Sequence, residues 1–226
     1  MHGSRTRYAS AAIIERRKRI LAAAQSLIAA KGISDLSMEE ISEQSQVSKR
    51  TLYNIFKSRE ALLAAAIHSY FAEFELRIVY TTPAGTPERI VEHLATVCRR
   101  NLAVREYTRT LLTTFFSSEV ATSLREAIFE IAAHSHRPWV EHLARSKALL
   151  AYVEPEELVA DLVRYRYAVG VDWACGRLED NCFPRTVILG VLTMVRGACR
   201  PATAGVIEKV MSEWETYAVR QGERAP

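Results

Sequence analysis

Glycine, proline and cysteine are scarce in this chain of 226 residues, at 9, 7 and 4 positions. So little Gly and Pro excludes collagen-like and low-complexity sequence. The four cysteines, Cys98, Cys175, Cys182 and Cys199, form no C-x-x-C pair and fit no zinc spacing. Reduced thiols are expected, not a disulfide framework. Long apolar runs are missing: the longest strongly apolar stretch, residues 187–195, has nine residues and contains Gly190 and Thr193. A bilayer span needs about 20. No apolar targeting segment is visible at the N-terminus, so a cytoplasmic protein without a membrane partner is expected. Alternating runs flanked by Asn-Gly or Asp-Gly are absent, which argues against hairpins. There is no G-x-S-x-G, H-E-x-x-H, P-loop or paired Cys/His set, so neither an enzyme nor a cofactor is expected.

What is present is ordinary globular composition, 49% hydrophobic and 25% charged, which excludes a disordered chain. The net charge of +4 is unevenly distributed. Residues 1–60 hold eleven Lys and Arg against six Asp and Glu, a net of +5, and the remainder nets −1. Arg5, Arg7, Arg16, Arg17, Lys18 and Arg19 supply most of the excess. This asymmetry suggests a phosphate-facing N-terminal module on a near-neutral body. A membrane-surface helix is disfavoured, because residues 5–19 have no bulky apolar face beyond Ile13 and Ile14. Residues 1–10 read as a solvated basic tail.

Helical periodicity runs throughout. Ile20, Ala24, Leu27 and Ile28 make an amphipathic stripe, and Gly32 is placed as a left-handed C′ residue. Ser37-Met38-Glu39-Glu40 reads as a capping box, with Leu36 and Ile41 as its hydrophobic staple. Ser48 caps again eleven residues on, with Val47 and Leu52 as staple. Two short helices, 37–45 and 48 to about 55, are therefore expected around a tight turn. Ser58 opens a long helix expected to reach about Tyr80. Further helices are expected at about 87–104, 106–116, 119–147 with a kink or break before Pro138, 154–178, 183–199 and 203–219. In all, nine to eleven helices are expected.

In the helix opened by Ser48, Leu52, Ile55 and Phe56 fall on one face and should point inward. Lys49, Arg50, Thr51, Tyr53 and Asn54 are left outward, at the N-terminal end of a short helix after a tight turn. Such a surface suits a recognition helix in the major groove. Lys and Arg would reach phosphate or guanine, hydroxyls would reach phosphate, and Asn can pair with adenine. The helix N-termini at Ser37 and Ser58 would add amide donors for phosphate, and Lys57 and Arg59 further cations.

The run Gly32-x4-Ser37-x3-Ile41-x5-Val47-Ser48-Lys49-Arg50-Thr51-Leu52-Tyr53-x2-Phe56-Lys57-Ser58-Arg59-Glu60-x-Leu62-Leu63 resembles the N-terminal DNA-binding domain of TetR/AcrR-type transcriptional regulators. The resemblance covers about Ile20 to Leu63. It implies an all-α fold: a three-helix helix-turn-helix domain over residues 1–57, with its basic tail, and a helical effector-binding and dimerisation domain over 58–226. It also implies a ligand-released homodimeric repressor, bacterial and cytoplasmic, on a palindromic double-stranded operator. Ser42 and Ser45 stand where the family commonly has small apolar residues. Gln46 stands where Gly is frequent, suggesting a left-handed non-Gly residue. Ile55 stands where His or Tyr is common.

A small-molecule effector pocket is expected between the long fourth helix and the helices up to about 178. Candidate liners are Phe71, Phe74, Cys98, Tyr107, Phe115, Phe116, Trp139, Arg164, Tyr165 and Tyr167. Arg164 and Arg166 point about 200° apart on a helix, so at most one faces inward; an inward Arg would favour an anionic ligand. The dimer interface is expected on the helices at 155–178 and 183–199, through Val169, Gly170, Trp173, Val187, Val191, Leu192 and Val195. Gly170, Gly176, Gly190 and Gly197 would permit close approach there. Glu130, His134, His136 and His142 lack a second ligand cluster, so no metal site is expected. An all-α enzyme and a protein-binding helical module are the competing readings.

Overall fold

The structure is a computed structural model that describes the backbone of residues 3–222 and the side chains of residues 12–216. Ten helices are seen among the described residues: α1 (Gly3–Lys31), α2 (Met38–Ser45), α3 (Lys49–Phe56), α4 (Arg59–Glu75), α5 (Pro87–Ala103), α6 (Arg105–Phe116), α7 (Thr122–Arg145), α8 (Pro155–Ala174), α9 (Phe183–Ala198) and α10 (Pro201–Gly222). The only strand-like pairing there is an isolated antiparallel bridge, Leu149 to Cys199. The all-α class expected from the sequence is what the chain adopts. The backbone is helical from Gly3, where a disordered tail was expected; the side chains of Arg5 and Arg7 lie outside the described residues.

The contacts divide the chain into two compact units, Met1–Arg77 with Thr113–Ile128, and Ile78–Leu112 with Phe129–Pro226. This division differs from a boundary at 57/58, because α4 packs into the first unit. Leu62, Leu63, Ala66 and Ile67 of α4 are fully buried, and Gln25 Nε2 of α1 donates to the Ala66 carbonyl at 3.0 Å. Apolar matter on that face comes from Ile20, Ala24 and Ile28, all fully buried.

Helix starts follow local chemistry. Ser37 forms the full capping box with Glu40. Ser48, Ser58 and Thr86 each accept from a backbone amide three residues on. Helix ends depart more from expectation. α4 stops at Glu75 instead of continuing to Tyr80. In the second unit, Thr81 and Thr82 are gathered by the Glu92 carboxylate, which accepts their amides at 2.8 and 3.1 Å and both hydroxyls. Tyr80 lies under the Arg89 guanidinium at 4.1 Å and meets His93 Nδ1 at 2.8 Å. Those bonds hold residues 80–82 to α5 in non-helical geometry. α8 stops at Ala174, where Gly176 takes φ +76° and the Arg177 amide turns back to the Asp172 carbonyl at 2.8 Å.

α7 runs unbroken through Pro138, so of the kink or break expected there the break does not occur. Pro138 is exposed while Ala132, Ala133, Trp139, Val140 and Leu143 are buried. Burial on both sides outweighs the hydrogen bond that proline removes.

In the second unit the core is built by α5, α8, α9 and α10. Trp173 and Phe183 stack at 4.4 Å and are buried. Arg105 covers Trp173 at 4.5 Å and pairs with Asp180, which accepts from Trp173 Nε1 at 2.9 Å. Two glycines fix helix approach there. A Cβ on Gly170 would meet Leu112 Cδ1 at 2.4 Å, and one on Gly190 would meet the Tyr165 hydroxyl at 1.8 Å.

Candidate nucleic-acid interface

α2 and α3 are joined by residues 46–48, and the tightness of that turn has a visible origin. Gln46 adopts φ 55° and ψ 43°, the left-handed region predicted where Gly is frequent. Its amide donates to Glu43 and that of Val47 to Ser42, while Ser42 Oγ donates to the Val47 carbonyl at 2.5 Å. Ser45 is fully buried and its Oγ donates to the Ile41 carbonyl at 2.5 Å. A hydroxyl is therefore accommodated at a buried position by a bond within its own helix.

The turn delivers α3 with Leu52 and Phe56 buried and Ile55 half-buried. Lys49, Arg50, Tyr53 and Asn54 are exposed and Thr51 is half-buried. This is the outward set read from the sequence. Lys49 pairs with Glu39 of α2, both about half exposed, a pair weak enough to open in favour of a polyanion. Lys57, exposed at φ 66°, donates through Nζ to the Asn54 carbonyl at 3.0 Å.

The remaining predicted contacts serve the fold itself. Ser37 is half-buried, its Oγ taking the Glu40 amide at 3.3 Å and donating to Glu40 Oε2 at 3.0 Å. Ser48 Oγ receives the Thr51 amide at 3.2 Å and lies 2.9 Å from the Thr51 hydroxyl. Ser58 Oγ receives the Ala61 amide at 3.0 Å. Arg59 is the largest departure. Its guanidinium donates to the carbonyls of Leu36 at 2.5 Å, Ser34 at 3.0 Å and Ile33, tying the start of α4 to the turn after α1.

Two further arginines of the basic excess are also engaged inside the unit. Arg19 Nε donates to the Ser45 carbonyl at 3.0 Å, and Arg17 stands over the Phe56 ring at 4.6 Å. Counting charge along the chain gave no hint of this, because the groups they meet, the Ser45 carbonyl and the Phe56 ring, lie 26 residues or more away. Lys31 pairs with Glu40. That hydrogen bond, with those from Ser37, lowers the Glu40 carboxyl to about 2.

The effector candidates fall in both units. Phe71, Phe74 and Phe115 are half-buried and Phe116 is exposed, all in the first unit. Cys98, Tyr107, Trp139 and Tyr167 are buried in the second. Tyr165 is half-buried, its hydroxyl donating to the Thr186 carbonyl at 2.8 Å. Arg164 is exposed and paired with Asp161 at 2.7 Å, so it lines no interior site. The inward arginine is Arg166.

The dimer candidates are likewise displaced. Val169, Gly170, Trp173, Val187, Val191, Leu192 and Val195 are all buried within the single chain, at 9% exposure or less where hydrophobic. They cannot also face a second subunit. Nothing lies within 4 Å of a Cβ added at Gly176 or Gly197, so these two mark open surface. Among the described residues no group of three His, Cys, Asp or Glu could hold a metal ion. Glu130 is engaged by Arg137, His134 and His142 are exposed, and His136 is buried.

A short helix presenting cations and hydroxyls after a left-handed turn, braced by two others, is a helix-turn-helix DNA-binding arrangement. Residues 20–66 match the profile of the bacterial regulatory proteins of the tetR family. Over that segment the chain is similar to TetR-type, helix-turn-helix transcriptional regulators. It is 32% identical over 89 residues to an uncharacterised HTH-type transcriptional regulator of Bacillus subtilis, YuxN. That match takes in 39% of this chain and spans only about a third, 31%, of the relative. Among solved structures, a TetR-family regulator from Rhodococcus sp. superposes with TM-score 0.60 at 19% identity, covering 80% of this chain and 98% of the other. Thermus thermophilus FadR, a TetR-family repressor determined with lauroyl-CoA, superposes with TM-score 0.57 at 16% identity, covering 80% and 94%. These structures establish a shared fold.

Proposed function

We propose that the protein is a cytoplasmic, ligand-released repressor that binds a palindromic operator as a homodimer, with residues 1–57 reading DNA and 58–226 carrying effector binding and dimerisation. The observation that carries it is the exposed Lys49-Arg50-Tyr53-Asn54 surface on α3, held outward by buried Leu52 and Phe56. Arg50 and Asn54 are the base readers, and Lys49, Thr51, Tyr53 and Lys57 grip phosphate. Ser37, Ser48, Ser58 and Arg59 act indirectly, by fixing the helix ends.

One short helix reads few bases, so two copies spaced by about 34 Å on a two-fold site are needed. Apolar positions of the last two helices, the half-buried Leu189 and Met194 of α9 and the 54% exposed Val206 of α10, are the dimer surface in this reading. The effector lies in the second unit and lowers operator affinity by coupling; the FadR relative bound to lauroyl-CoA supports a ligand-dependent role. The test is fluorescence anisotropy with DNA from upstream of the protein's own gene. Binding should weaken steeply as salt rises, and Arg50→Ala and Tyr53→Ala should abolish it. Absence of salt-sensitive binding would overturn the proposal.

A further inference from the structure

Arg166 of α8 is 9% exposed, yet among the described residues no carboxylate pairs with it. Its guanidinium donates only through Nη1, to Ser135 Oγ at 3.1 Å and to His136 Nε2 at 3.3 Å, both on α7. Nε and Nη2, the edge of the fork that takes a carboxylate two-pronged, donate to no described residue. A buried guanidinium held by neutral groups alone is costly, and proteins retain one where an anion completes it.

His136 adds a second observation. It is fully buried, and because arginine only donates, Nε2 must accept and the ring proton sits on Nδ1. That Nδ1–H has no hydrogen-bond partner among the described residues. Burial, then the Arg166 charge, holds the imidazole well below its usual range, so it stays neutral. Cys98, His93 and Tyr167, all buried, are close enough to feel the Arg166 charge, and none of them is acidic at neutral pH. Burial pushes the Cys98 thiol up to about 12 and Tyr167 to about 12, and lowers His93 to about 3. This buried cluster thus offers unfilled donors and one positive charge beside the Cys98 and Tyr167 side chains, contributed by α5, α7 and α8.

Building on the reading that the second unit takes an effector, we infer that Arg166 and His136 bind the carboxylate of a small organic acid with an apolar body. The guanidinium fork receives both carboxylate oxygens, and His136 Nδ1–H is a further donor beside it.

Thermal unfolding of the full-length protein tests this without DNA, so a failure here is separable from a failure of operator binding. Benzoate or octanoate should raise the melting temperature with concentration, while benzamide and octanamide leave it unchanged. Arg166→Met should weaken the apparent affinity at least about tenfold, as loss of one charge-assisted pair predicts. Should that variant not fold, Arg166→Lys decides, since it keeps the charge and loses the fork. The inference is overturned if neither acid shifts the wild type, if the amides act as strongly as the acids, if inorganic phosphate alone shifts it, or if Arg166→Lys responds as the wild type does.

Discussion

Arginine is used differently in the two units. In the first, Arg19, Arg59 and Arg125 donate to backbone carbonyls at helix ends and turns. In the second, Arg105, Arg109, Arg137, Arg164, Arg177, Arg185 and Arg196 meet carboxylates. The contrast has a physical cause. A domain of short helices has many helix ends for its size, and each leaves carbonyls without intrahelical partners. Long cationic side chains satisfy them without adding a buried carboxylate. The basic excess of the first unit is therefore partly structural, and the exposed cations on and just after α3 are the smaller set Lys49, Arg50 and Lys57. In the second unit Arg89 and Arg200 also donate to carbonyls, but many surface arginines there meet carboxylates, whereas the buried Arg166 meets none among the described residues.

The largest expected effect sits in the second unit. Trp173→Ala removes the stacked ring under Arg105 and against Phe183, and should lower stability by about 3–5 kcal/mol in denaturant unfolding. Next come the two arginines of the first unit that look alike in sequence. Arg59→Ala should cost about 1.5–3 kcal/mol, because it strips a charged donor from three carbonyls. Arg50→Ala should leave stability within about 0.5 kcal/mol and abolish operator binding. If the two variants exchange these phenotypes, the division between structural and DNA-facing arginines fails.

Smaller effects sharpen the turn and the caps. Gln46→Gly should stabilise the domain by about 1 kcal/mol by relieving a left-handed non-Gly backbone; circular dichroism melts would read this. Glu40 carries the pH dependence. Its folded carboxyl is lowered to about 2 from 4.5, chiefly by Lys31, so its contribution is present above pH 4.5 and is lost as pH falls toward 2. Glu40→Gln should flatten acid unfolding across that window. An acid limb unchanged from the wild type would remove Glu40 from the account.

Features set by neighbours in sequence were readable in advance. The capping box at Ser37, the left-handed Gln46 and the outward face of α3 depend on residues within a few positions of one another, and each appears as expected. Features set across the chain were not readable. Glu92 holds Thr81 and Thr82 out of helical geometry, burial around Trp139 carries α7 through Pro138, and Arg59 finds carbonyls 23 to 26 residues away. The apolar stripe of α9 looked the same whether it faced its own subunit or another, since periodicity marks a buried face without naming what buries it.

Residue order alone determined the helical class, the outward polar face of α3 and the division into a basic N-terminal segment and a near-neutral body, because caps, turns and charge are local properties. Tertiary structure decided which cations hold the fold, which face of α8 turns inward, and that Arg166 rather than Arg164 is buried. Two arginines about 200° apart on one helix are equivalent until another helix packs against one of them.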